Sequence, residues 1–508
     1  MTGRRWVWPA AITAVYAIVV IWAASHHEPW RDEVVPLSIA RAAHSFSELV
    51  APLRFEGHPI GWYALLWVLD ALIGKAWVLK AASVGSAIGA VFLLNRSRLP
   101  WWLLALFTFS FFPLYQYSVV SRGYGLEMLV LFGLCTIFPH RRGHPIALGL
   151  VLAALANTEA FGAIIAIAVA GMVVVEAAMV ADARRRLATD RAVWAGAAVF
   201  AAGLLFALWV AFPAASHRGT GIHQLGAVDV ALGIGHAILQ PVAHSTGMAT
   251  LPVPTLWIFA YFVYLVRTPP LLAFVAVALI GMEALFNLAH GPSAAWHIGH
   301  VFLVLIAALW LDASGSIATL SLPTRLEHGR VWLGRILMAG LCVVLAQHVS
   351  LGAARIMAET RYDYSANRRF GELLHANPAW DDAVVMGDPD GPLWSLPYYA
   401  GHRVYLAREA TYRAWGVYAP PRRVAFDLSE LLATARRVHS ECACPVVLTL
   451  GYDVGQLGIH TRFKGTRFEE TFEITARARD EFLAATKPIA RSNEPTITDE
   501  HYDVFVLR

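Results

Sequence analysis

Residues 145–180 read PIALGLVLAALANTEAFGAIIAIAVAGMVVVEAAMV, two apolar runs separated by a polar turn at residues 157–159. A run of about 20 apolar residues is long enough to cross the hydrocarbon core of a bilayer as a helix. The second run, residues 160–180, has that length, and the first run, residues 145–156, is shorter. We interpret both as membrane-spanning helices joined by a tight turn, and the same pattern recurs along most of the chain.

The composition agrees with a membrane protein. Of 508 residues, 57% are hydrophobic and only 15% are charged, against about 25% charged residues in an average soluble domain. The net charge of +4 is not gathered into a basic face, so no nucleic-acid partner is expected. The sequence predicts an all-α polytopic bundle of about 11 transmembrane helices. The candidate spans are residues 6–24, 77–94, 100–117, 125–138, 145–156, 160–180, 192–212, 251–266, 270–288, 296–311 and 331–349.

The distribution of arginine and lysine sets the predicted orientation, because cytoplasmic loops carry an excess of these residues. Residues 58–74 are apolar but number only 17 and include Asp70. If this segment lies in the interface plane or re-enters the membrane, every basic cluster falls on the cytoplasmic side. If it crosses, all clusters after the first fall outside. We therefore expect a transmembrane module over residues 1–350, with a cytoplasmic N-terminus, an uncleaved first span and an external first loop whose juxtamembrane helices cover residues 25–75.

Residues 351–508 are expected to form an extracytoplasmic α/β domain, because apolar runs of strand length alternate there with helical patterns. The sequence G-D-P-D-G at residues 387–391 favours a plain turn over a pocket wall. Cys442 and Cys444 have no partners at zinc spacing, so we expect a structural role, with a disulfide if the domain is exported. The predicted strands are residues 383–386, 404–406, 445–450 and 503–507, and the predicted helices are residues 428–439 and 475–486.

The first external loop contains the most suggestive acidic residues. Asp32 and Glu33 follow Trp30 and open an apolar helical stretch at the membrane boundary. A helix N-terminus favours an ionised carboxylate, and such a carboxylate at the lipid–water boundary can act as a base on a membrane-bound substrate. Charges that are simply solvated are the ordinary alternative. Arg122 lies in a short external loop, where arginine is disfavoured, so we expect an anionic partner, either a protein carboxylate or a phosphate.

Three short motifs follow one another on the predicted external face: D-E at residues 32–33, H-P at residues 58–59 and R-G-Y at residues 122–124. Together they resemble the GT-C superfamily of integral membrane glycosyltransferases, in particular the branch that contains protein O-mannosyltransferases and the lipid A aminoarabinose transferase. The motifs cover the N-terminal third of the chain, and the remainder resembles the family only in architecture. The chain departs from the family pattern at Gly123, where a bulkier residue is common, and at His58, which replaces a phosphate-facing lysine.

The resemblance implies an inverting glycosyltransferase in the inner (plasma) membrane of a bacterium. Such an enzyme takes a sugar from a polyprenyl-phosphate donor and transfers it, outside the cytoplasm, to a glycan, lipid or protein acceptor. Asp32 is then the expected general base, with Glu33 as the second candidate. The leaving phosphate needs positive charge and hydrogen-bond donors, for which the candidates are Arg54, His58, Arg122 and Tyr124. The candidate substrate-binding residues are Glu56, Glu159, Arg218, His223, His297 and His300.

Other interpretations fit the same residues. A divalent cation, Mg²⁺ or Mn²⁺, held by Asp32 and Glu56 would also stabilise a leaving phosphate, although the sequence has no dense carboxylate cluster. His290, His297 and His300 suggest a metal site, and histidines that face lipid headgroups are the simpler interpretation. The alternative functions are a polysaccharide polymerase or ligase, a membrane transporter and a non-enzymatic envelope protein.

Overall fold

The computed structural model describes residues 4–211, 253–285, 295–416, 422–462, 470–490 and 496–508. An α-helical bundle forms the first part of the chain and an α/β region forms the last part. Among the described residues, five helices are long and apolar enough to cross a membrane: Val7–His26, Ala160–Met179, Arg191–Ala211, Trp296–Ala313 and Thr324–Glu359. These helices indicate a membrane protein, whereas the number of spans stays a prediction.

The helices of the bundle follow the apolar runs of the sequence, and most predicted spans coincide with one helix to within a few residues. The helices are α1 (Arg4–His26), α2 (Arg31–Ala42), α3 (Phe46–Glu56), α4 (Gly61–Ile73), α5 (Val78–Leu94), α6 (Trp101–Thr108), α7 (Tyr124–Ile137), α8 (Pro145–Ala156), α9 (Ala160–Met179), α10 (Ala181–Thr189), α11 (Arg191–Ala211), α12 (Val253–Leu265), α13 (Pro269–Leu285), α14 (Ala295–Ala313) and α15 (Thr324–Glu359).

Helices α2, α3 and α4 form the predicted unit between the first two spans. The hydroxyl of Ser45 caps α3 by accepting the backbone N–H of Glu48 at 3.3 Å. Gly57 ends α3 with a φ of +77°, a conformation that glycine adopts without strain. Helix α4 has 13 residues and is therefore about 20 Å long, shorter than the ~30 Å hydrocarbon core. Helix α8, a predicted span, has only 12 residues, so length does not separate α4 from the spans, and the expectation that residues 58–74 do not cross stays a prediction.

The prediction of one continuous helix over residues 100–117 is wrong. Helix α6 ends at Thr108, and a π-helical turn follows at Phe112–Gln116. Pro113 lies at the start of this turn, and a proline ring excludes the ordinary helical hydrogen bond. The hydroxyl of Tyr16 in α1 donates to the carbonyl oxygen of Pro113 at 2.6 Å. A neighbouring helix thus satisfies the backbone where the span is interrupted.

The predicted boundary after residue 350 is also wrong, because it falls inside α15. This helix has 36 residues and ends at Glu359. Its buried side continues at helical spacing through Gly352 and Ile356, so one face stays in contact with the protein beyond the predicted end. The extension brings the carboxylate of Glu359 to 2.8 Å from the Nδ1 of His27.

Two sheets form the core of the α/β region. The strands are β1 (Val384–Asp388), β2 (Arg403–Leu406), β3 (Thr411–Tyr412), β4 (Ala425–Asp427), β5 (Val446–Leu450), β6 (Gly458–Arg462), β7 (Glu470–Ile474), β8 (Thr486–Ala490) and β9 (Asp503–Leu507). The larger sheet has the order β3-β2-β1-β5-β9-β8, and the smaller has the order β4-β7-β6. In the larger sheet β1 is parallel to β2 and β5, and β9 is antiparallel to β5 and β8. The helices are α16 (Asn367–His375), α17 (Leu396–Tyr399), α18 (Leu428–Cys442) and α19 (Ala476–Ala485).

The mixed sheet agrees with the expected α/β class. The four predicted strands correspond to β1, β2, β5 and β9, which carry the buried apolar runs of the larger sheet. The remaining strands were not predicted, because short or half-exposed strands have a weak apolar pattern. Cys442 and Cys444 form a disulfide at the end of α18, in line with a structural role.

The turn after β1 places two aspartates in a buried ion cluster. Arg408 binds Asp388 at 2.6 Å and Arg422 binds Asp390 at 2.8 Å, and all four side chains are almost completely buried. Glu470 binds Arg422 at 2.5 Å. The acidic turn thus contributes to the folding of this region, as the plain-turn interpretation expects.

Replacement of Arg408 by Met should destabilise the α/β region. The substitution leaves the carboxylate of Asp388 buried without its partner, which typically costs about 3–5 kcal/mol. We expect the thermal unfolding midpoint of the purified full-length protein in detergent to fall by roughly 10 °C. Arg477→Met is the matched control, because the exposed pair of Arg477 with Glu481 should contribute little. Equal midpoints for Arg408→Met and wild type would contradict the role of the cluster.

Candidate active site

A cavity of about 360 Å³ opens where the segment after α1 meets the ends of several bundle helices. Its wall includes the start of α2, the end of α3 and the turns that precede α4, α7 and α9. Five residues that the sequence singled out line this cavity: Asp32, Glu56, His58, Arg122 and Glu159. The fold therefore brings together side chains that are up to about 130 positions apart in the chain.

Asp32 lies in the first turn of α2, where the helix dipole favours its ionised form. Its Oδ2 is 3.4 Å from the Nη1 of Arg122, and its Oδ1 is 3.8 Å from the Nε of Arg31. The carboxylate is 34% exposed, so a substrate in the cavity can reach it. Asp32 thus combines negative charge, access and nearby cations, as a general base beside an anionic substrate requires.

The guanidinium of Arg122 is held by aromatic rings on its faces. Its Cζ is 5.0 Å from the ring centre of Tyr124 and 5.5 Å from that of Trp296, both within the range of cation–π attraction. Within the described part of the chain, its buried Nη1 has no hydrogen-bond acceptor, and its contact with Asp32 is only a charge contact. Arg122 therefore has a donor available for an anion. Tyr124 is fully buried and supports Arg122 without lining the cavity.

A second ion pair lies across the cavity, where the Nδ1 of His58 is 3.1 Å from the Oε2 of Glu159. Burial alone would lower the pKa of His58, but the Glu159 carboxylate raises it. Conversely, burial would raise the pKa of Glu159, but His58 and then Arg122 lower it. Each group thus favours the charged form of the other.

Gly123 is required by the position of Glu159. A β-carbon at residue 123 would lie 2.4 Å from the Oε1 of Glu159 and 3.2 Å from the Cβ of Trp62. The absence of a side chain at this position therefore makes room for the carboxylate. This contact gives a physical reason for the departure of the R-G-Y motif from the family pattern.

Glu56 is a carboxyl group of the cavity with a raised proton affinity. Burial raises its pKa to about 7, the negative charge of Asp32 adds to the rise, and His58 opposes it. At neutral pH Glu56 is therefore partly protonated, so it can either accept or donate a proton in the cavity.

Glu33 does not line the cavity, so its position does not support the expectation of a second catalytic base. Its side chain is fully buried and accepts hydrogen bonds from the backbone N–H groups of Trp30 at 3.2 Å and Ser121 at 2.5 Å. The Nε2 of His27 lies 2.9 Å away. Glu33 thus accepts its hydrogen bonds from protein groups, and it connects the loop of Trp30 with the loop of Ser121.

Arg54 also lies outside the cavity and lines a separate apolar groove, where its Cζ is 5.0 Å from the ring centre of Trp209. Residues two positions apart on a helix point in directions about 200° apart. Because Glu56 faces the cavity, Arg54 on the same helix faces away from it. The structure therefore does not bring Arg54 into this cavity, and its expected contact with the donor phosphate stays a prediction.

The two later histidines lie among aromatic side chains and do not line the cavity. The Nδ1 of His300 is 2.9 Å from the Oε1 of Glu127, and its ring stacks on Phe161 at 4.2 Å. His297 packs against the rings of Phe161 and Tyr124. Both histidines thus lie outside the set of residues that line the cavity, and their expected contact with substrate is not supported. Arg218 and His223 lie outside the described residues.

No group of three histidine, cysteine, aspartate or glutamate side chains is arranged to hold a metal ion within the described ranges. Asp32 and Glu56 line the same cavity, so the part of the earlier metal hypothesis that concerns these two residues stays a prediction.

Sequence reasoning did not select the aromatic lining of the cavity, which includes Tyr63 and the indole rings of Trp30, Trp62, Trp296 and Trp394. Indole rings offer flat apolar faces together with one N–H donor each. The N–H groups of Trp30 and Trp62 are buried with no acceptor among the residues described. Trp394 belongs to the α/β region, in the 3-10 helix Gly391–Ser395. No local sequence signal reveals this residue, because its position depends on how the α/β region docks.

Several contacts hold the α/β region over the cavity, and three of them involve Pro29 and Arg31. The guanidinium of Arg31 binds Asp499 at 2.6 Å, and the backbone N–H of Arg31 donates to the Oε1 of Glu500 at 2.8 Å. The hydroxyl of Tyr399 donates to the carbonyl oxygen of Pro29 at 2.8 Å. All three contacts reach the segment that carries Asp32, so the α/β region both covers the cavity and fixes its acidic edge.

No model of a known protein family matches the chain, and no curated protein matches its sequence. The geometry of the cavity is therefore the main basis for a functional assignment.

Proposed function

We propose that this protein is an inverting glycosyltransferase that moves a sugar from a polyprenyl-phosphate donor to an extracytoplasmic acceptor. The observation that carries the proposal is the pairing of Asp32 with Arg122 in one cavity. A base and a phosphate-binding cation lie there 3.4 Å apart. Inverting transfer places the acceptor hydroxyl and the leaving phosphate on opposite faces of the sugar, so the proposal requires the contact between Asp32 and Arg122 to open when both substrates bind.

In the proposed reaction, the acceptor oxygen forms a bond to the anomeric carbon while the bond from that carbon to the phosphate oxygen breaks. Asp32 takes the proton of the acceptor hydroxyl. The phosphate leaves with the electron pair and becomes a polyprenyl phosphate, and Arg122 stabilises its charge through the free Nη1. Phosphate is a weak base, so its departure does not require a general acid.

The size and walls of the cavity support a sugar substrate. A volume of about 360 Å³ lies within the range of small-molecule sites and suits one sugar with its phosphate. The indole faces offer apolar surfaces to the sugar ring, while the pair of Glu159 and His58 supplies an acceptor and a donor for hydroxyl groups. The four tryptophans and the ion pairs thus match a ligand that has both apolar faces and polar edges.

The proposed location is the extracytoplasmic face of a bacterial inner membrane, with the N-terminus in the cytoplasm. The positive-inside rule supports this orientation, because it places the arginines of the α7–α8 turn and of α10 on the opposite side from the cavity. The disulfide in the α/β region also favours an oxidising compartment. A lipid-linked donor keeps its chain in the bilayer, so a cavity at the bundle end suits its phosphate.

Replacement of Asp32 by Asn should abolish the transfer while leaving the fold intact. Loss of a general base lowers a rate by about 10²–10⁴-fold. In a strain that lacks the wild-type gene, we expect wild type to restore the cell-envelope glycan profile and Asp32→Asn to fail at equal membrane abundance. Asp70→Asn is the control, because Asp70 pairs with Arg41 away from the cavity. Restoration by Asp32→Asn would contradict the assignment of the base.

Binding of polyprenyl phosphate should depend on the protonation of Glu56. Below pH 7 this carboxyl is mostly neutral, and above pH 7 it adds a negative charge to the cavity, because its pKa is raised to about 7. We expect wild type to bind polyprenyl phosphate about 5- to 10-fold more weakly than Glu56→Gln at pH 8, with no difference at pH 6. The ionisation of polyprenyl phosphate itself does not affect the comparison, because wild type and Glu56→Gln are measured with the same ligand at the same pH. Equal affinities at both pH values would contradict the role of Glu56, and Glu48→Gln on the exposed side of α3 is the control.

Replacement of Gly123 by Ala should reduce transfer without unfolding the protein. The new methyl group meets the flexible end of Glu159, which can move away and leave His58 unpaired. Displacement of an active-site group by about 1 Å can cost up to ~100-fold in rate. We expect restored glycan in the same strain to fall strongly at an unchanged thermal unfolding midpoint. Gly171→Ala is the matched control, since a β-carbon there meets no atom within 4 Å, and wild-type transfer by Gly123→Ala would contradict the packing argument.

A further inference from the structure

A second cavity, of about 200 Å³, lies between α8, α9, α10 and α11. It is at the opposite end of α9 from Glu159, because Glu176 near the end of this helix lines it. The 20 residues of α9 rise about 30 Å, which is the thickness of the hydrocarbon core. The cleft therefore opens at the membrane face opposite the Asp32 cavity.

The interior of the cleft is apolar. Leu148, Leu152, Val173 and Phe200 are among the side chains that line it. An apolar cavity of ~150 Å³ stays dry and binds hydrocarbon, and this cleft is larger. Because it lies between helices at bilayer depth, an acyl chain is the hydrocarbon available to fill it.

The mouth of the cleft is basic. Three arginines and one glutamate line it, which gives a net charge of +2. The guanidinium of Arg141 is buried and binds both oxygens of Glu176, at 2.9 and 2.5 Å. Arg142 also reaches Glu176, at 2.8 Å, but its side chain is 42% exposed. Arg186 is 44% exposed; its Nε donates to the Oδ2 of Asp182 at 3.1 Å, and its Nη1 donates to the carbonyl oxygen of Arg142 at 3.1 Å. Two neighbouring guanidinium groups therefore stand at the entrance to an apolar cleft.

We propose that this cleft binds one anionic phospholipid of the leaflet opposite the Asp32 cavity. An acyl chain enters between α8, α9 and α11, and the phosphate binds Arg142 and Arg186. Basic pockets between transmembrane helices are recognised sites for anionic headgroups. The charge and the apolar lining together identify the ligand, since a free phosphate would leave the apolar part empty and a zwitterionic lipid would gain little from the arginines. This site does not depend on the proposed transferase activity.

The test measures lipid binding to the purified, delipidated full-length protein in a neutral detergent by native mass spectrometry. Phosphatidylglycerol and phosphatidylcholine with identical acyl chains are compared, with inorganic phosphate as the competitor. We expect phosphatidylglycerol to bind at least ~10-fold more tightly than phosphatidylcholine and to resist displacement by inorganic phosphate. The double variant Arg142→Gln with Arg186→Gln should weaken its binding by about 30-fold. Glu176 keeps Arg141 and Asp182 keeps Arg185, so this variant should fold.

Two matched controls separate a built site from general attraction to a charged surface. Arg184→Gln with Arg185→Gln removes the same charge from α10 at positions that do not line the cleft, and it should weaken binding by no more than about threefold. Ala197→Phe places bulk in the cleft and should block the lipid, whereas Ala198→Phe, next to it but outside the lining, should not. Equal losses in the two arginine double variants, equal binding of both lipids, displacement by inorganic phosphate, or unchanged binding by Ala197→Phe would each overturn the proposal.

Discussion

The buried carboxylate of Glu33 holds together the two loops that form the candidate site. A buried charge is costly unless it is paired and hydrogen-bonded, and Glu33 meets this requirement with the N–H groups of Trp30 and Ser121 and with the ring of His27. Burial lowers the pKa of His27, but Glu33 and Glu359 raise it to about 10. His27 is therefore a cation at neutral pH and binds both carboxylates. Asp32 precedes Glu33, and Arg122 follows Ser121. The buried carboxylate of Glu33 therefore sets the distance between Asp32, the proposed base, and Arg122, the proposed phosphate-binding residue.

The same constraint connects the α/β region to the bundle. Glu359 reaches His27 because α15 continues beyond the expected end of the last span. Glu28 binds Arg368 at 2.7 Å and accepts the backbone N–H of Tyr364 at 2.9 Å. The segment from His27 to Glu33 therefore has partners in α15, in the loop before α7 and in the α/β region, although it contains only seven residues. Many buried partners on a short segment make its geometry rigid, which is the property that a proposed catalytic base needs.

The sequence predicted those features that depend on local pattern or on charge. Apolar runs located the helices, whereas the exclusion of residues 58–74 from the spans, which rests on the distribution of arginines, stays a prediction. The convergence of Asp32, Arg122 and Glu159 followed from placing all polar loops on one face. The position of Arg54 could also have been predicted from the sequence, because Arg54 and Glu56 lie two residues apart on one helix and cannot both face one cavity. The position of Trp394 could not be predicted from the sequence. Its contact with the cavity depends on how the α/β region docks on the bundle, and no local spacing of residues encodes that docking.

The charges of the cavity also explain why an anionic base can work beside an anionic donor. Asp32 and Glu159 face Arg122 and His58, while Arg31 is shared with Asp499 outside the cavity. With Glu56 protonated, the cavity has at least as many cations as anions, so a phosphate enters without net repulsion. Arg122 binds Asp32 only through a charge contact and still has a free donor, so it can neutralise the base and the phosphate together. Ionisation of Glu56 adds a negative charge to the cavity. In the proposed mechanism, the protonation of Glu56 therefore controls how readily an anionic ligand enters.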